Sequence, residues 1–238
     1  MSIVFLKDQF VEEEKALINA TNRGFLFGDG VFTTMVVEDG KINFFNDHIK
    51  RLQSHSKKLK LKFNEIDLET IKELIEKNDA KTGRWRVRLS IAREGDFSYF
   101  IDECSSCFML ISIHRLPEKR KEALETVIYP YPIVSSLANV KTLSYFERFW
   151  VKQFAKEKNV DDCITRDQHE NILEAAFANI FWIDGNDLYY PDETCFYLKG
   201  ITLKYTIKAA IMAGYKINQV KAKIDQLKNK SLFLTSST

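Results

Sequence analysis

No stretch of this chain strings together the about 20 apolar residues that a membrane-spanning helix requires. A bilayer-embedded helix is therefore not expected, and with no charged-then-apolar leader after Met1 the expected address is the cytoplasm. An excess of charge of either sign is missing too. Lys and Arg number 35 against 33 Asp and Glu, for a formal net charge of +2, and the charges form no basic arm or stripe. Nucleic acid is set aside as a partner on that ground. Cysteine is scarce: Cys104, Cys107, Cys163 and Cys195 are too few and too scattered for a disulfide framework in 238 residues. The CxxC spacing of Cys104 and Cys107 has no second pair and runs into the apolar segment from Phe108 to Ile113, so both are read as plain thiols and no metal site is expected. Low-complexity segments, tandem repeats and long Gly/Ser linkers are also absent, which leaves an ordinary globular chain.

What is there is 45% hydrophobic and 29% charged, enough apolar material for one large domain or two small ones with cores of their own. Ile3 to Leu6 reads as a strand, and Gly24 to Gly30 as a glycine-dense loop. A hairpin follows, in which Val31 to Val37 and Lys41 to Phe45 flank the two-residue turn Asp39-Gly40. Asn46 or Asp47 is positioned to cap a helix that carries Ile49, Leu52 and Leu59 and runs to about Leu61, while Ile71, Leu74 and Ile75 mark a second helix. From Arg84 to Ile91 the chain alternates strictly, with Trp85, Val87, Leu89 and Ile91 on one face and Arg84, Arg86, Arg88 and Ser90 on the other. That pattern predicts a half-buried strand with a cationic face. Phe108 to His114 reads as a fully buried strand.

Pro117 and a cluster of charges between Arg115 and Glu125 mark the expected domain boundary: a first domain over 1–116, a linker over 117–125 and a second domain over 126–238. The second half predicts strands near Val127 to Ile133, Asp162 to Thr165, Ala178 to Ile183 and Leu188 to Tyr190, helices from Ser144 and over Ile201 to Ala213, and a closing strand from Ser231 to Thr235. Strands and helices interleave in both halves, so the class is α/β or α+β with two layers per domain.

Lys141 stands where an apolar strand-like run, Val127 to Val140, gives way to helical spacing. Ser144 and Glu147 have the spacing of a capping box, and Leu143, Phe146, Trp150 and Phe154 recur as a buried helical face would. A lysine rooted at a strand end by two packed elements loses its proton most easily, which suits a Schiff-base residue; a surface lysine in a loop is the ordinary alternative, and the neighbouring motifs decide between them.

Five pieces of sequence surround it in order. They are Asn22-Arg23-Gly24 with Phe27-Gly28-Asp29-Gly30-Val31-Phe32-Thr33-Thr34; His48-Ile49-Lys50-Arg51-Leu52; Lys141-Thr142-Leu143; Leu173-Glu174-Ala175-Ala176-Phe177-Ala178-Asn179-Ile180-Phe181; and Gly200-Ile201-Thr202. Together they resemble the fold-type IV family of pyridoxal-phosphate enzymes, which includes branched-chain aminotransferases, D-amino acid transaminases and 4-amino-4-deoxychorismate lyases. The resemblance covers nearly the whole chain.

It implies an N-terminal two-layer α/β domain, a C-terminal α/β pseudo-barrel domain, and pyridoxal 5'-phosphate as cofactor. Lys141 would form the Schiff base and then move the proton at the reacting carbon. Glu174 resembles the acid that pairs with the pyridine nitrogen, and Arg51 the arginine that grips the phosphate. Gly200, the free N–H groups of a helix starting at Ile201, and the Thr202 hydroxyl would bind the same phosphate, with Thr235 and Ser236 as further contacts or, alternatively, part of a frayed polar C-terminus. Tyr145 is a candidate for the hydroxyl facing the ring oxygen, and a core tyrosine is the alternative. A homodimer is implied, with the neighbouring subunit's N-terminal domain closing each pocket.

The loop ending in Thr33-Thr34 looks most like the lyases, where a threonine hydroxyl beside the cofactor is linked to proton handling; branched-chain enzymes usually have Glu-Gly after the phenylalanine. Thr33 and Thr34 are thus candidate catalytic residues, and the resemblance ranks a lyase that makes 4-aminobenzoate and pyruvate first. A transaminase of branched-chain or D-amino acids comes second, and a cofactor-binding relative without efficient turnover third. The chain departs from the lyase pattern at Ser144, where asparagine is common, and in the loop from Arg93 to Tyr99, which lacks Gly-Arg-Gly-Tyr. Arg93 and Arg88 are the candidates for the substrate carboxylate. The sequence stops at Thr238, where the family continues with another strand and helix, so one wall of the substrate pocket is expected to be missing or supplied otherwise.

Overall fold

Residues 1–120, 141–145 and 238 make one compact unit of the chain, and residues 121–140 with 146–237 make the other. The computed structural model describes residues 2–63, 66–95, 100–101, 106–117 and 123–238. The expectations for Cys104, for the loop at 96–99 and for the middle of the linker at 118–122 lie outside these described residues.

The first unit is built on β1 (Ile3–Leu6), β2 (Gln9–Glu12), α1 (Arg23–Phe27), β3 (Gly30–Glu38), β4 (Lys41–Ile42), α2 (Phe45–Lys58), α3 (Leu68–Lys77), β5 (Arg84–Arg93) and β6 (Cys107–Arg115). Its six strands form one sheet in the order β2-β1-β6-β5-β3-β4, antiparallel throughout. Asp39 and Gly40 both adopt positive φ, 47° and 76°, which matches the twist of a two-residue hairpin turn. The β4 arm stops at Ile42, because Phe44 turns left-handed (φ 55°) and the chain enters α2 at Phe45. Asn46 and Asp47 therefore lie inside the helix and do not cap it. In α3 the expected face is buried through Ile71, Leu74 and Ile75, and Asp67 caps the helix by accepting from the Thr70 N–H at 2.7 Å. Strand β6 alternates where full burial was expected: Ile111 and Ile113 are buried, Leu110, Ser112 and His114 half-buried. Part of the expected glycine-dense loop is the short helix α1, with Asn22 accepting from the Phe25 N–H.

The segment around Lys141, expected in the second domain, belongs to the first unit because its backbone extends that sheet. Val31 and Thr142 form an antiparallel bridge; the Phe32 N–H donates to the Lys141 carbonyl and the Leu143 N–H to the Gly30 carbonyl, each at 2.9 Å. Such an approach requires a residue without a side chain at position 30, where a Cβ would meet the Ile91 carbonyl oxygen at 2.3 Å and Leu143 Cδ1 at 2.5 Å.

The second unit contains β7 (Thr126–Ile128), α4 (Phe146–Glu157), β8 (Asp162–Arg166), β9 (Ile172–Ala175), β10 (Asn179–Asp184), β11 (Asp187–Pro191), α5 (Ile201–Met212), β12 (Lys216–Val220) and β13 (Ser231–Thr235). The strands make a three-stranded sheet, β7-β8-β9, and a four-stranded sheet, β12-β11-β10-β13. Val151, Ala155, Leu173, Phe181, Leu188 and Leu203 share its main core. Strand β7 is shorter than expected, since Pro130 and Pro132 follow it and cannot donate to a ladder. Strands β9 and β12 were not foreseen.

Helix α4 departs most from expectation. Ser144 does not cap it; its hydroxyl donates to the Phe27 carbonyl at 3.2 Å, and the helix starts at Phe146. Half of the expected core stripe is exposed, Phe146 at 74% and Trp150 at 54%, while Leu143 and Phe154 are half-buried against apolar clusters and the buried positions of the helix are Arg148, Val151 and Ala155. The apolar spacing is real, but a buried arginine claims the inward position. Among the described residues no helix is long and apolar enough to cross a membrane.

Candidate active site

The first unit assembles its part of the site on both faces of β3. Because successive side chains of a strand point to opposite faces, Phe32 and Thr34 lie on one face and Thr33 on the other. Lys141 is half-buried on the Phe32 face, its Nζ 3.0 Å from Tyr145 Oη and 4.5 Å from the centre of the Phe32 ring. Tyr145 packs edge-on against that ring at 5.0 Å, and the Arg88 guanidinium lies over it at 3.7 Å. Arg88 is also the cross-strand partner of Thr34, so Lys141, Tyr145, Phe32, Thr34 and Arg88 share one surface. Three aromatic or cationic contacts converge on the Phe32 ring, which helps to fix the direction of the lysine side chain.

On the opposite face, Thr33 is fully buried and holds α2. Its hydroxyl lies 2.8 Å from His48 Nδ1 and accepts from Arg51 Nη2 at 2.9 Å. Thr33 and Thr34, paired as catalytic candidates, thus have different surroundings: Thr33 bonds to Arg51, and Thr34 lies on the Phe32 face of β3. One helical turn beyond Arg51, His55 Nδ1 accepts the Lys141 backbone N–H at 3.1 Å. Burial, with Arg51 next, lowers the His48 imidazole to about 3 from its ordinary 6.5, and burial followed by Arg51, Lys58 and Lys141 lowers His55 to about 4. Both rings are neutral at pH 7. Arg51 is lowered to about 10 by burial, and its Nε, like His48 Nε2, has no hydrogen-bond partner among the described residues. A buried guanidinium with such a donor has the chemistry to bind an anion.

Arg93 has a different task from the one expected. It is 1% exposed; Nε pairs with Asp29 Oδ2 at 3.0 Å, and Nη2 donates to the Leu59 carbonyl at 2.7 Å. Asp29 also receives Arg23 Nε at 2.9 Å, so the first motif and the end of β5 are fastened together. A side chain committed in this way is not available to a substrate carboxylate, whereas Arg88 is on the lysine's surface.

The second unit brings together the residues expected at a phosphate. Gly200 precedes α5 with no side-chain cap, so the N–H groups of Ile201 and Thr202 start the helix without an internal partner. Asn179 shapes this turn: Nδ2 donates to the Leu198 carbonyl at 2.7 Å, and Oδ1 accepts the Gly200 N–H at 2.9 Å. A Cβ at position 200 would meet that oxygen at 2.4 Å, so only glycine fits. Asn179 is in turn the cross-strand partner of Thr235, with Ser236 next in the chain. The hydroxyls of Thr202 and Thr235 are both buried and without a hydrogen-bond partner among the described residues, as a cradle for an acceptor-rich group would be.

Glu174, which could have been an exposed surface acid, is 4% exposed in β9 and forms an ion pair with Arg148 of α4; its Oε1 also accepts the Leu198 N–H at 3.2 Å. Sequence reasoning missed Arg148 and His55, and noted His48 only as part of the Arg51 motif. The spacing of Arg148 with Val151 and Ala155, and of His48, Arg51 and His55 along one helix, was the available signal.

Residues 30–238 match the model of the amino-transferase class IV family. The aminodeoxychorismate lyase of Bacillus subtilis is 24% identical over 235 residues, covering 94% of this chain and 79% of its own. The D-alanine aminotransferase of Listeria monocytogenes is 23% identical over 242 residues, covering 99% and 83%. Among solved structures, the branched-chain aminotransferase of Thermoproteus uzoniensis, crystallised with norvaline, superposes with a TM-score of 0.91 at 18% identity over 99% of this chain and 84% of that one. The mixed α/β fold is therefore that of the fold-type IV aminotransferases, and the chain belongs to the amino-transferase class IV family.

Proposed function

We propose that this protein is a pyridoxal-phosphate enzyme and, within that class, a lyase that converts 4-amino-4-deoxychorismate to 4-aminobenzoate and pyruvate. The observation that carries the reading is the Lys141 amine, held 3.0 Å from Tyr145 Oη on the surface that also presents Thr34 and Arg88. Each part of the cofactor finds suitable chemistry here. In the first unit the Arg51 Nε, without a hydrogen-bond partner among the described residues, suits an anionic oxygen; in the second unit, taken by itself, the hydroxyls of Thr202 and Thr235, also without one among the described residues, the start of α5 at Gly200 and Ile201, and Ser236 suit a phosphate, and buried Glu174 suits a pyridine nitrogen. When bound, the cofactor accepts the electron pair left behind as a substrate bond to hydrogen breaks.

The chain's own residues then have these roles. Lys141 takes the proton from the substrate ring, and the Thr34 hydroxyl, on the same face of β3 as Phe32, assists its transfer. Expulsion of the enolpyruvyl side chain, with a proton returned to it, leaves the aromatic amine and pyruvate. Arg88 receives a substrate carboxylate, a charge-assisted contact that the neighbouring Phe32 ring helps to orient. The threonine pair after Phe32 favours the lyase, as does the relative of that activity in Bacillus subtilis. Transamination of a D-amino acid is the second reading, favoured by the Listeria enzyme aligned over 99% of this chain. A homodimer is part of the proposal, by likeness to the family.

The deciding experiment offers the purified, cofactor-loaded protein 4-amino-4-deoxychorismate, and in parallel D-alanine or branched-chain amino acids with a keto acid. Equal yields of 4-aminobenzoate and pyruvate, lost in Lys141→Ala, are expected. Amino-group exchange without any breakdown of the chorismate derivative would replace the lyase with a transaminase. Failure of all substrates in a protein that binds the cofactor would leave the degenerate relative.

A further inference from the structure

A buried carboxylate is costly unless its charge is compensated, and at Glu174 the compensation comes from an unexpected place. Helix α4 leaves Phe146, Phe149 and Trp150 exposed while turning Arg148, itself 7% exposed, toward β9. Burying the aromatic stripe would have removed more apolar area from water, so this orientation is not what hydrophobic burial alone selects. The inward arginine makes the ion pair with Glu174 Oε1, and the Leu198 N–H binds the same oxygen.

We infer that Arg148 is a positioning residue for Glu174: its guanidinium keeps the carboxylate ionised and in one rotamer, so that Glu174 can hold a pyridine nitrogen in its protonated form. This rests on the reading of Glu174 as the cofactor's partner. An ionised carboxylate accepts several hydrogen bonds at once, so the ion pair and a ring N–H are compatible. Stripped of its cation, a buried carboxyl favours the neutral acid, which has no charge to offer a pyridinium.

The test has a part that needs no cofactor. Arg148→Gln keeps a hydrogen-bond donor and removes the charge. In the cofactor-free protein at pH 7, the infrared difference between Arg148→Gln and the double variant R148Q/E174Q is expected to contain the carbonyl stretch of a protonated carboxyl, absent from the difference between wild type and Glu174→Gln. In the loaded protein, Arg148→Gln is expected to move the pH titration of the visible band and to lower kcat about 10–100-fold with KM nearly unchanged, as loss of an outer-shell partner does at metal sites. Arg148→Lys should recover part of both. No acid band together with a titration and kcat equal to wild type would overturn the inference. Should Arg148→Gln not fold, R148Q/E174Q is compared with Glu174→Gln: equal kcat supports action through Glu174, and a further loss in the double variant overturns it. If wild type forms no band with pyridoxal phosphate, the cofactor reading itself falls, while the infrared comparison still decides whether Arg148 holds the charge.

Discussion

Lys141 Nζ and Tyr145 Oη lie 3.0 Å apart, two side chains of one five-residue segment that belongs to the first unit. The pair is local in sequence, but the sheet fixes it, because the backbone of Lys141 bonds to Phe32 and to His55. A hydroxyl at this distance constrains the direction of the amine. Tyr145→Phe is expected to fold normally and to lower kcat about 10–100-fold, the effect of losing a hydrogen bond to a charged group. Lys141→Ala should abolish turnover. Steady-state kinetics with the preferred substrate checks both, and an unchanged kcat in Tyr145→Phe would reduce the tyrosine to packing against Phe32.

Thr33 supports Arg51 from the far face of β3. Thr33→Val, which keeps the shape and removes the hydroxyl, leaves a buried guanidinium donor and His48 Nδ1 without their partner and is expected to cost about 1–3 kcal/mol of stability. Cofactor affinity should fall with it, through a loosened Arg51. Denaturant unfolding and a cofactor titration measure the two effects. Thr34→Val should do the reverse: little change in stability and a lower kcat.

Gly200 has an ordinary backbone conformation (φ −67°), so Gly200→Ala acts by space alone. The added methyl displaces Asn179, which releases the Leu198 carbonyl and shifts the start of α5, a destabilisation of about 1–3 kcal/mol typical of overpacking. Phosphate-dependent binding should weaken more than the stability loss explains. Comparing pyridoxal with pyridoxal phosphate by titration isolates that part.

Arg88 and Arg93 sit on one strand and should fail differently. Arg88→Leu is expected to raise KM about 10–100-fold for a carboxylate substrate while the fold persists, since one charge-assisted contact is lost. Arg93→Leu removes one of the two arginines paired with Asp29 and strands the Leu59 carbonyl, so a loss of about 3–5 kcal/mol in stability is expected in place of a KM effect. Parallel melting curves and kinetics separate the two roles.

Acid should destabilise the first unit through its two histidines. His48 at about 3 and His55 at about 4 lie below their ordinary 6.5, so the unfolded chain binds more protons than the folded one once the pH drops below 6.5. Their stabilising effect is complete above that value and lost as the pH falls toward 4 and then 3, at no more than about 1.4 kcal/mol per pH unit for each ring. His55→Asn supplies a non-titrating acceptor for the Lys141 N–H and should flatten the curve between pH 6.5 and 4. Unfolding midpoints at several pH values test it; parallel slopes for variant and wild type would count against the assignment.

The sequence by itself determined the pieces whose pattern closes within a few residues. The Asp39-Gly40 turn, the existence of β5, the apolar face of α3, and the extents of α5 and β13 all follow from neighbours two to four positions apart, although in β5 the strict alternation of burial stops at Leu89, from which Ser90 is buried too. The order of the family's motifs is likewise a property of the chain read end to end. Only the tertiary structure decided which side of α4 is buried, which of Thr33 and Thr34 holds Arg51, which of Arg88 and Arg93 is committed to Asp29, and that Arg148 meets Glu174 across 26 positions. Local periodicity marks a face as apolar or cationic, but what that face meets depends on strand pairing and on the cost of burying charge. Both are set by residues far away in the chain.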